Sequence, residues 1–409
     1  MKRPEPMTLP SDGEASGRSF GGEELEMLRR VLDSGTLTRT RGTVTAEFEE
    51  RFGAWLDLGF CRAVSSGTAA VHAAVAALDP EPGDEIITTP ITDMGAISPI
   101  VFQGAVPIFA DVDPHTFNLT AATIASKISP RTKAVIVTHL FGNCCDMDPI
   151  VELCRDHGLP IIEDCAQAYG ATYRGRLVGT LGDIGCFSMQ QGKHISTGEG
   201  GVVVTGNADL GRRMRLFTDK AWGYGDAAPD HYFLALNYRI SELQGAVALA
   251  QFEKLPQMLA QRRRSADRLK RLLEDVEGVT APVVPEDVQH AYWRFPLMVD
   301  ADRIKGGNRA LGEFLQQEGI ACSPGYLPRL AFECAVLRDH RTFGDSSYPF
   351  EGSQRQADPP IRYHRDSTPE AAKVLDSILV LPWNERYQNE HVDYLAECIR
   401  RGAQRSAGG

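Results

Sequence analysis

The strongest constraint on the fold is an alternation, between about residues 60 and 205, of short apolar runs with longer helical segments. The helical segments include TAAVHAAVAAL and DPIVELCRDHG, and the second ends at Gly158, as a helix commonly does. This pattern predicts a mostly parallel sheet flanked by helices, in which ligands bind at the carboxyl ends of the strands. The strand candidates are DEIITTP, AVPIFADVD, KAVIVTHLFG, LPIIEDCAQA, IGCFSM and GGVVVTG.

The length of 409 residues predicts two domains, because a single hydrophobic core seldom serves so long a chain. A long amphipathic stretch follows Asn237, with breaks predicted at Pro256 and near Gly278, and a second alternation of strand and helix patterns begins at His290. We therefore predict a flexible N-terminal arm over residues 1–20, a large domain over residues 21–285 and a smaller α/β domain over residues 286–409.

Charge and cysteine content exclude several classes of protein. The formal net charge of -11 argues against a general nucleic-acid binder, which needs concentrated Lys and Arg. Nine cysteines, including the adjacent Cys144 and Cys145, suit no secreted disulfide framework, and no CxxC pair marks a zinc site. The N-terminus lacks the apolar run of a signal peptide or a membrane span. We predict a cytoplasmic protein without a metal, membrane or nucleic-acid partner.

Two polar features follow strands or precede helices of the predicted sheet. Ser65, Ser66, Gly67 and Thr68 lead into an Ala-rich helix, where small residues let backbone N–H groups face an anion, although an ordinary N-cap is the more frequent reason for Ser or Thr there. Asp164 ends the apolar run LPII. Its carboxylate would cap the next turn, or would hold the protonated ring nitrogen of a bound heterocycle.

The stretch CFSMQQGKHISTGEGG places Lys193 among glycines and hydroxyl residues, five positions after Ser188. It is not a nucleotide P-loop, since Phe187 stands where the first glycine is required and His194 follows the lysine. GEGGVV fails as a dinucleotide fingerprint, because Val203 stands at a required glycine position. A solvated surface lysine and a nucleophilic amine remain as alternatives.

Together these features are the parts that pyridoxal 5'-phosphate requires. The small residues around Gly67 and the hydroxyl of Ser188 would hold the phosphate, Asp164 would keep the pyridine nitrogen protonated, and Lys193 would form the Schiff base. Asn237 lies just before a predicted helix, where an N-cap is the ordinary role.

The chain resembles the DegT-type sugar and cyclitol aminotransferases over nearly its whole length. The resemblance rests on SSGTAAVHAA, GDEIITTP, THLFGN, NYRISELQGAVAL and, most specifically, on EDCAQA followed by GDIGCFS and by a lysine before TGEGG. It implies the type I aminotransferase fold of pyridoxal-phosphate enzymes, with a mostly parallel seven-stranded sheet, flanking helices and a smaller C-terminal α/β domain.

The resemblance also implies roles for individual residues. Lys193 and Asp164 would be catalytic, and Asn237 would reach the phosphate of the neighbouring subunit, which implies a homodimer with active sites at its interface. The residues implied to bind the cofactor are Ser66, Gly67, Thr68, Asp93, Asp164, Gln167, Ser188, Lys193 and Asn237.

One departure concerns the face of the cofactor ring. Many members of the family carry a stacking aromatic residue after the TP that closes the GDEIITTP strand, whereas this chain has Asp93 or Met94 there, depending on the alignment. Asp93 would instead meet an amine or a sugar hydroxyl. The ITDMG variant resembles a subgroup that includes aminotransferases making 8-amino-3,8-dideoxy-octulosonate.

The resemblance implies transfer of an amino group from glutamate or glutamine to a keto or aldehyde sugar, sugar acid or cyclitol. Two alternatives stay open. The first is a deoxysugar dehydratase, because relatives with that activity carry His in place of the lysine and His194 adjoins Lys193. The second is a regulatory protein that keeps the fold without catalysis.

Overall fold

The computed structural model describes residues 5–351 and 361–407 and has the predicted α/β architecture. The strands are β1 Phe60–Val64, β2 Glu85–Thr88, β3 Val106–Phe109, β4 Thr132–Thr138, β5 Ile161–Asp164, β6 Thr172–Tyr173, β7 Arg176–Leu177, β8 Ile184–Ser188, β9 Gly201–Thr205, β10 Val279–Thr280, β11 Val288–Gln289, β12 Arg294–Val299, β13 Ser323–Pro324 and β14 Ile378–Pro382. The helices are α1 Gly22–Ser34, α2 Val44–Leu56, α3 Gly67–Ala77, α4 Met94–Phe102, α5 Ala121–Ala125, α6 Met147–His157, α7 Ala208–Phe217, α8 Glu242–Leu273, α9 Gly307–Gln317, α10 Ala335–Arg338, α11 Pro369–Ser377 and α12 Asn389–Ala407.

The central sheet has seven strands among the described residues, in the order β1-β9-β8-β5-β4-β2-β3. Parallel pairs join β8, β5, β4, β2 and β3. β9 pairs antiparallel with both of its neighbours, β1 and β8, so it runs opposite to the other six strands of the sheet. The predicted fold class, a mostly parallel seven-stranded sheet with flanking helices, is confirmed, and the carboxyl ends of most strands meet at one edge.

Both faces of this sheet are buried, because successive residues of a strand point to opposite sides. In β4, Ala134 and Ile136 pack in one core cluster with the Ala-rich helix α3. Val135 and Val137 pack on the other side, in the cluster that contains Phe48 and other residues of α2 and α8. Continuous apolar runs are typical of such strands.

A second sheet has the order β10-β12-β14-β13. Helix α8 leads to it and crosses Pro256 without ending, so the predicted break there is wrong. The helix packs against α1, α2 and α12, and these contacts stabilise it despite the missing N–H of the proline. The predicted boundary at residue 286 stays a prediction, although β10 already pairs with β12 of the second sheet.

The described part of the predicted N-terminal arm packs against the rest of the chain. Asp12 and Arg18 are buried, and Arg18 Nη1 donates to the backbone oxygen of Lys193 at 2.8 Å. The expectation of a loose segment is therefore corrected for these residues. Residues 1–4 lie outside the described residues.

None of the helices in the described ranges combines the length and the apolar character that a membrane crossing requires.

Candidate active site

A cavity of about 430 Å³ opens at the carboxyl edge of the central sheet. It collects residues that follow β1, β2, β5 and β8, together with residues from the second sheet and its loops. The lining residues are Ser66, Gly67, Thr68, Val71, Thr92, Asp93, Gly95, Ala96, Asp164, Ala166, Gln167, Ser188, Gln190, Lys193, Glu199, Trp293 and Tyr326. Of the predicted site residues, Asn237 alone is not among these lining residues.

The N-terminus of α3 forms one wall. Ser66 is its N-cap, and the Ser66 hydroxyl accepts a hydrogen bond from Ala69 N at 3.0 Å, so the ordinary capping role is real. Gly67 follows, and a Cβ atom there would lie 2.7 Å from Ser188 Cβ. The missing side chain therefore lets the first turn of α3 approach the end of β8 and leaves its N–H groups facing the cavity.

The N-terminus of α4 faces the same space. Asp93 is its N-cap and accepts a hydrogen bond from Gly95 N at 2.7 Å through Oδ1. A Cβ atom on Gly95 would lie 2.9 Å from that oxygen. Asp93 is exposed and lines the cavity, whereas Met94 packs against the hydrophobic core. Of the two residues that the alignment allows at the position of the aromatic residue, Asp93 is therefore the one that lines the cavity.

Asp164 ends β5 and is buried at the floor of the cavity. Its Oδ1 accepts a hydrogen bond from Ala166 N at 3.1 Å. Burial raises the pKa of the Asp164 carboxyl, while the Ala166 N–H and the nearby Lys193 amine act in the opposite direction. A cationic group placed beside this carboxylate would therefore lower its pKa and keep it ionised.

Lys193 lies on the connection between β8 and β9. Backbone hydrogen bonds from Met189 N to Gly200 O, at 2.8 Å, and from Gln191 N to Gly198 O, at 2.9 Å, extend the β8–β9 pairing into this connection. Lys193 Nζ lies over the ring of Trp293, 4.2 Å from its centroid. Desolvation lowers the pKa of Lys193 to about 8, opposed by the charge of Asp164. A surface lysine is thus excluded.

Gln167 is buried between two parts of the site. Its Oε1 accepts a hydrogen bond from Phe141 N at 2.7 Å, and its Nε2 donates to the hydroxyl of Tyr326 at 3.2 Å. Tyr326 has a positive φ of 58° and itself lines the cavity. These contacts fix the Gln167 amide at the cavity wall.

Sequence reasoning missed several residues of the cavity. Trp293 and Tyr326 come from the second part of the chain, Thr92 follows β2, and Glu199 precedes β9. Trp293 directly precedes β12 in the stretch YWRFPLMVD, and nothing in that pattern separates an aromatic residue of a cavity from one of the core. The motif TGEGG could have indicated Glu199, because the glycines on both sides of it are typical of a backbone that approaches another group closely.

Two other predicted residues have contacts that their sequence positions did not reveal. Asn237 is exposed, and its Oδ1 accepts from Arg239 N at 3.2 Å. It is not the N-cap of α8, because Ser241 caps that helix in a capping box with Gln244. His194 is buried, and its Nε2–H donates to Ala291 O at 3.0 Å, so it does not face the cavity as a dehydratase base would.

His139, which directly follows β4, is fully buried. Its Nε2–H donates to Glu163 Oε2 at 2.9 Å, and its Nδ1 accepts from Cys145 N at 3.2 Å. The ligand atoms of His139, Glu163 and Cys165 lie within 4.8 Å of one another. Glu163 also accepts hydrogen bonds from three backbone N–H groups, those of Gly179, Leu181 and Gly182, so this cluster is bonded internally and serves packing.

Comparison with known proteins agrees with this geometry. The chain matches the model of the DegT/DnrJ/EryC1/StrS aminotransferase family over residues 19–400. It is 38% identical to GDP-perosamine synthase of Caulobacter vibrioides over 290 residues, 70% of this chain and 77% of that one. It is 36% identical to L-glutamine:2-deoxy-scyllo-inosose aminotransferase of Streptoalloteichus tenebrarius over 320 residues, 74% and 76% of the two chains. An aminotransferase structure from Psychrobacter cryohalolentis matches with a TM-score of 0.84 and 29% identity, over 95% of this chain and 98% of that one. The chain therefore belongs to the DegT/DnrJ/EryC1/StrS aminotransferase family and is an aminotransferase.

Proposed function

We propose that the protein uses pyridoxal 5'-phosphate to transfer an amino group from glutamate or glutamine to a keto or aldehyde sugar, sugar acid or cyclitol. The observation that carries this proposal is the meeting of Lys193, Asp164 and the N-terminus of α3 in one cavity. Of the relatives reported above, one is named as a synthase of GDP-perosamine, and another is named as an aminotransferase for L-glutamine and 2-deoxy-scyllo-inosose.

The residues present fit the cofactor. The N–H groups at the start of α3, with the hydroxyls of Thr68 and Ser188, suit a phosphate group, and Gly67 leaves room for it. The buried Asp164 carboxylate suits a protonated pyridine nitrogen, and Gln167 lies at the wall of the same cavity. Bound there, the cofactor would supply the electron sink that lets an amine leave one carbon and join another.

Lys193 performs the proton transfer in this proposal. With the cofactor bound, the Lys193 Nζ would be the base that takes the proton from the α-carbon of the amino acid and returns it on the same face of the site. A pKa of about 8 leaves a useful fraction of the amine unprotonated near neutral pH. The ring of Trp293 holds water away from one side of this amine.

Asp93 would contact the substrate in place of a stacking aromatic residue. Its Oδ1 is occupied by the Gly95 N–H, so Oδ2 is the oxygen available for an amine or a sugar hydroxyl. The narrower resemblance to octulosonate aminotransferases stays a prediction.

The protein is also proposed to be a cytoplasmic homodimer, in which Asn237 reaches the cofactor phosphate of the partner subunit. Exposure of Asn237 on the surface of one protomer supports this role. The division into domains at residue 286 is part of the same proposal.

The central test is replacement of Lys193. The wild-type protein reconstituted with pyridoxal 5'-phosphate should show a visible absorption band from the lysine-bound cofactor, and glutamate or glutamine should convert it. Lys193→Ala should lose both the band and turnover, while replacement of the exposed Lys305 by Ala should keep them. An unchanged band in Lys193→Ala would contradict the assignment.

The acceptor can then be found by loading the protein with the amino form of the cofactor. Keto and aldehyde sugars, free and nucleotide-linked, are screened for return of the original band.

A further inference from the structure

Two successive backbone carbonyls beside the reactive amine accept hydrogen bonds from side chains far away in sequence. Trp293 Nε1 donates to Gly192 O at 2.7 Å, and Arg18 Nη1 donates to Lys193 O at 2.8 Å. Both donors are buried, with 8% and 2% of their surface exposed. Each of the two peptide groups that flank the Lys193 α-carbon is therefore hydrogen-bonded to a side chain from another part of the chain.

The N-terminal segment is tied to the same loop by a second residue. Asp12 O accepts hydrogen bonds from Arg18 Nε at 3.2 Å and from Gln191 Nε2 at 2.9 Å. Asp12 Oδ2 accepts from Arg294 Nη1, on β12, at 2.8 Å. Asp12 thus links the N-terminal segment to the β8–β9 connection, which carries Lys193, and to the second sheet.

Trp293 contacts the lysine twice. Its indole N–H holds the backbone at Gly192, and its ring lies beneath the Lys193 side chain, with Nζ 4.2 Å from the ring centroid. The backbone of Trp293 is anchored in turn, because its N–H donates to Phe141 O at 2.9 Å. One rigid side chain therefore limits both the backbone and the amine.

We propose that Arg18 and Trp293 are positioning residues, which hold the peptide groups around Lys193 so that its amine stays directed at the reacting carbon. This role rests on the proposed function. A rotation of either peptide group would swing the long lysine side chain, and a displacement of about 1 Å at a reacting atom can cost about a hundredfold in rate.

The test uses conservative variants of the full-length protein. Arg18→Lys keeps the charge but loses the fork that reaches Lys193 O and Asp12 O together. Trp293→Phe keeps an aromatic ring but loses the N–H to Gly192 O. The matched controls are Arg29→Lys, at an exposed arginine of α1, and Trp55→Phe, at a tryptophan of α2 that packs on Phe52.

The first readout is made without cofactor. Acetic anhydride labelling of Lys193, followed across pH by mass spectrometry, gives the midpoint at which the amine loses its proton. Asp164, Asp93 and Arg294 act on this amine and are unchanged in both variants. An amine that is held less firmly is better hydrated, and hydration favours its protonated form. We therefore expect the midpoint to rise by about half a pH unit or more in each variant and to stay at the wild-type value in the controls.

The second readout is steady-state kinetics with glutamate or glutamine. We expect kcat to fall about tenfold to hundredfold in both variants while KM for the amino acid changes little, because the lost geometry matters in the transition state. A labelling midpoint and a kcat equal to wild type in the folded variants would overturn the proposal. If one variant does not fold, as judged by circular dichroism, the other decides.

Failure of the proposed function would look different. In that case borohydride reduction of the wild-type protein with pyridoxal 5'-phosphate would leave Lys193 unmodified. The labelling midpoints would still decide whether Arg18 and Trp293 position this amine.

Discussion

Individual residues of the site are held in protonation states that cost stability. Lys193 is only partly exposed in the cavity, and desolvation lowers its pKa to about 8 against an ordinary lysine value of 10.5. A lysine whose pKa is lower in the folded protein than in the unfolded chain destabilises the fold at every pH at which the amine of the unfolded chain is protonated. This destabilisation is full below pH 8 and disappears as the pH approaches 10.5.

Replacing Lys193 by Met should therefore stabilise the cofactor-free protein. We expect a gain of about 1 to 3 kcal/mol in the free energy of unfolding at pH 7, since one unit of pKa shift corresponds to about 1.4 kcal/mol. The gain should shrink as the pH rises from 8 to 10. Urea unfolding at several pH values measures it, with the exposed Lys305→Met as the control. A loss of stability at pH 7 would contradict this account of the site.

At this scale the sequence was informative where a residue ends a strand of the central sheet. Asp164 and Ser188 end β5 and β8, and Lys193 follows in a glycine-rich connection, so their order along the chain already places them at one edge. Trp293 and Tyr326 could not be predicted, because their approach depends on how the second sheet packs against the first. A local pattern carries no information about that packing.

Some strands of the central sheet can be predicted from the sequence and others cannot. The six strand candidates became β2, β3, β4, β5, β8 and β9, because buried parallel strands are nearly continuous apolar runs. β1 was missed, since Arg62 interrupts its apolar pattern. That arginine is buried in the structure and lies within 4.0 Å of Glu49 and Asp219, so tertiary charges allow a strand that local composition does not suggest.

The start of α3 offers a test of the cofactor cradle. In Gly67→Ala the new Cβ atom would lie 2.7 Å from Ser188 Cβ, so helix and strand must separate. Overpacking of this kind costs about 1 to 3 kcal/mol. If that strain falls on the cofactor-bound state, affinity for pyridoxal 5'-phosphate should weaken about tenfold to hundredfold.

Titration of the cofactor-free protein, followed by absorbance, measures this affinity. Gly22→Ala is the matched control, because Gly22 begins α1 and a Cβ atom there meets nothing within 4 Å. Equal affinity in Gly67→Ala and wild type would contradict this account of the cofactor cradle.

The whole molecule presents an apolar surface between α7 and α8. Leu234 is 94% exposed, and Tyr224, Tyr232 and Leu236 are also exposed on the same segment. Asn237 follows directly. Such a patch next to a residue expected to act in a partner subunit is typical of a protein interface. Its position supports the proposed homodimer.

We expect Leu234→Asp to weaken that dimer. Loss of one buried leucine costs about 1.5 to 3 kcal/mol, and burial of a carboxylate adds to it. The dissociation constant of the dimer should therefore rise by about tenfold or more. Sedimentation velocity over a range of concentrations measures it. Val283→Asp changes an exposed aliphatic residue outside this segment and serves as the control. A dimer of unchanged strength would place the interface elsewhere.

Prediction from the sequence succeeded for the architecture and failed for the N-terminal segment. The charged and glycine-containing stretch before residue 20 has the composition of a flexible arm, yet Asp12 and Arg18 find buried partners on other segments. Those partners are backbone oxygens and a distant arginine, which leave no mark in the local sequence.

The same contacts set an order of events during synthesis. The strands that place Asp164, Ser188 and Lys193 are complete once the ribosome has passed β9, and the β8–β9 pairing is local. Trp293 is translated about a hundred residues after Lys193. Arg18 is translated before both of them. We therefore expect the Lys193 amine of a nascent chain to be free to move until β12 docks, and under the proposed function we expect competent capture of the cofactor only at the last stage of folding.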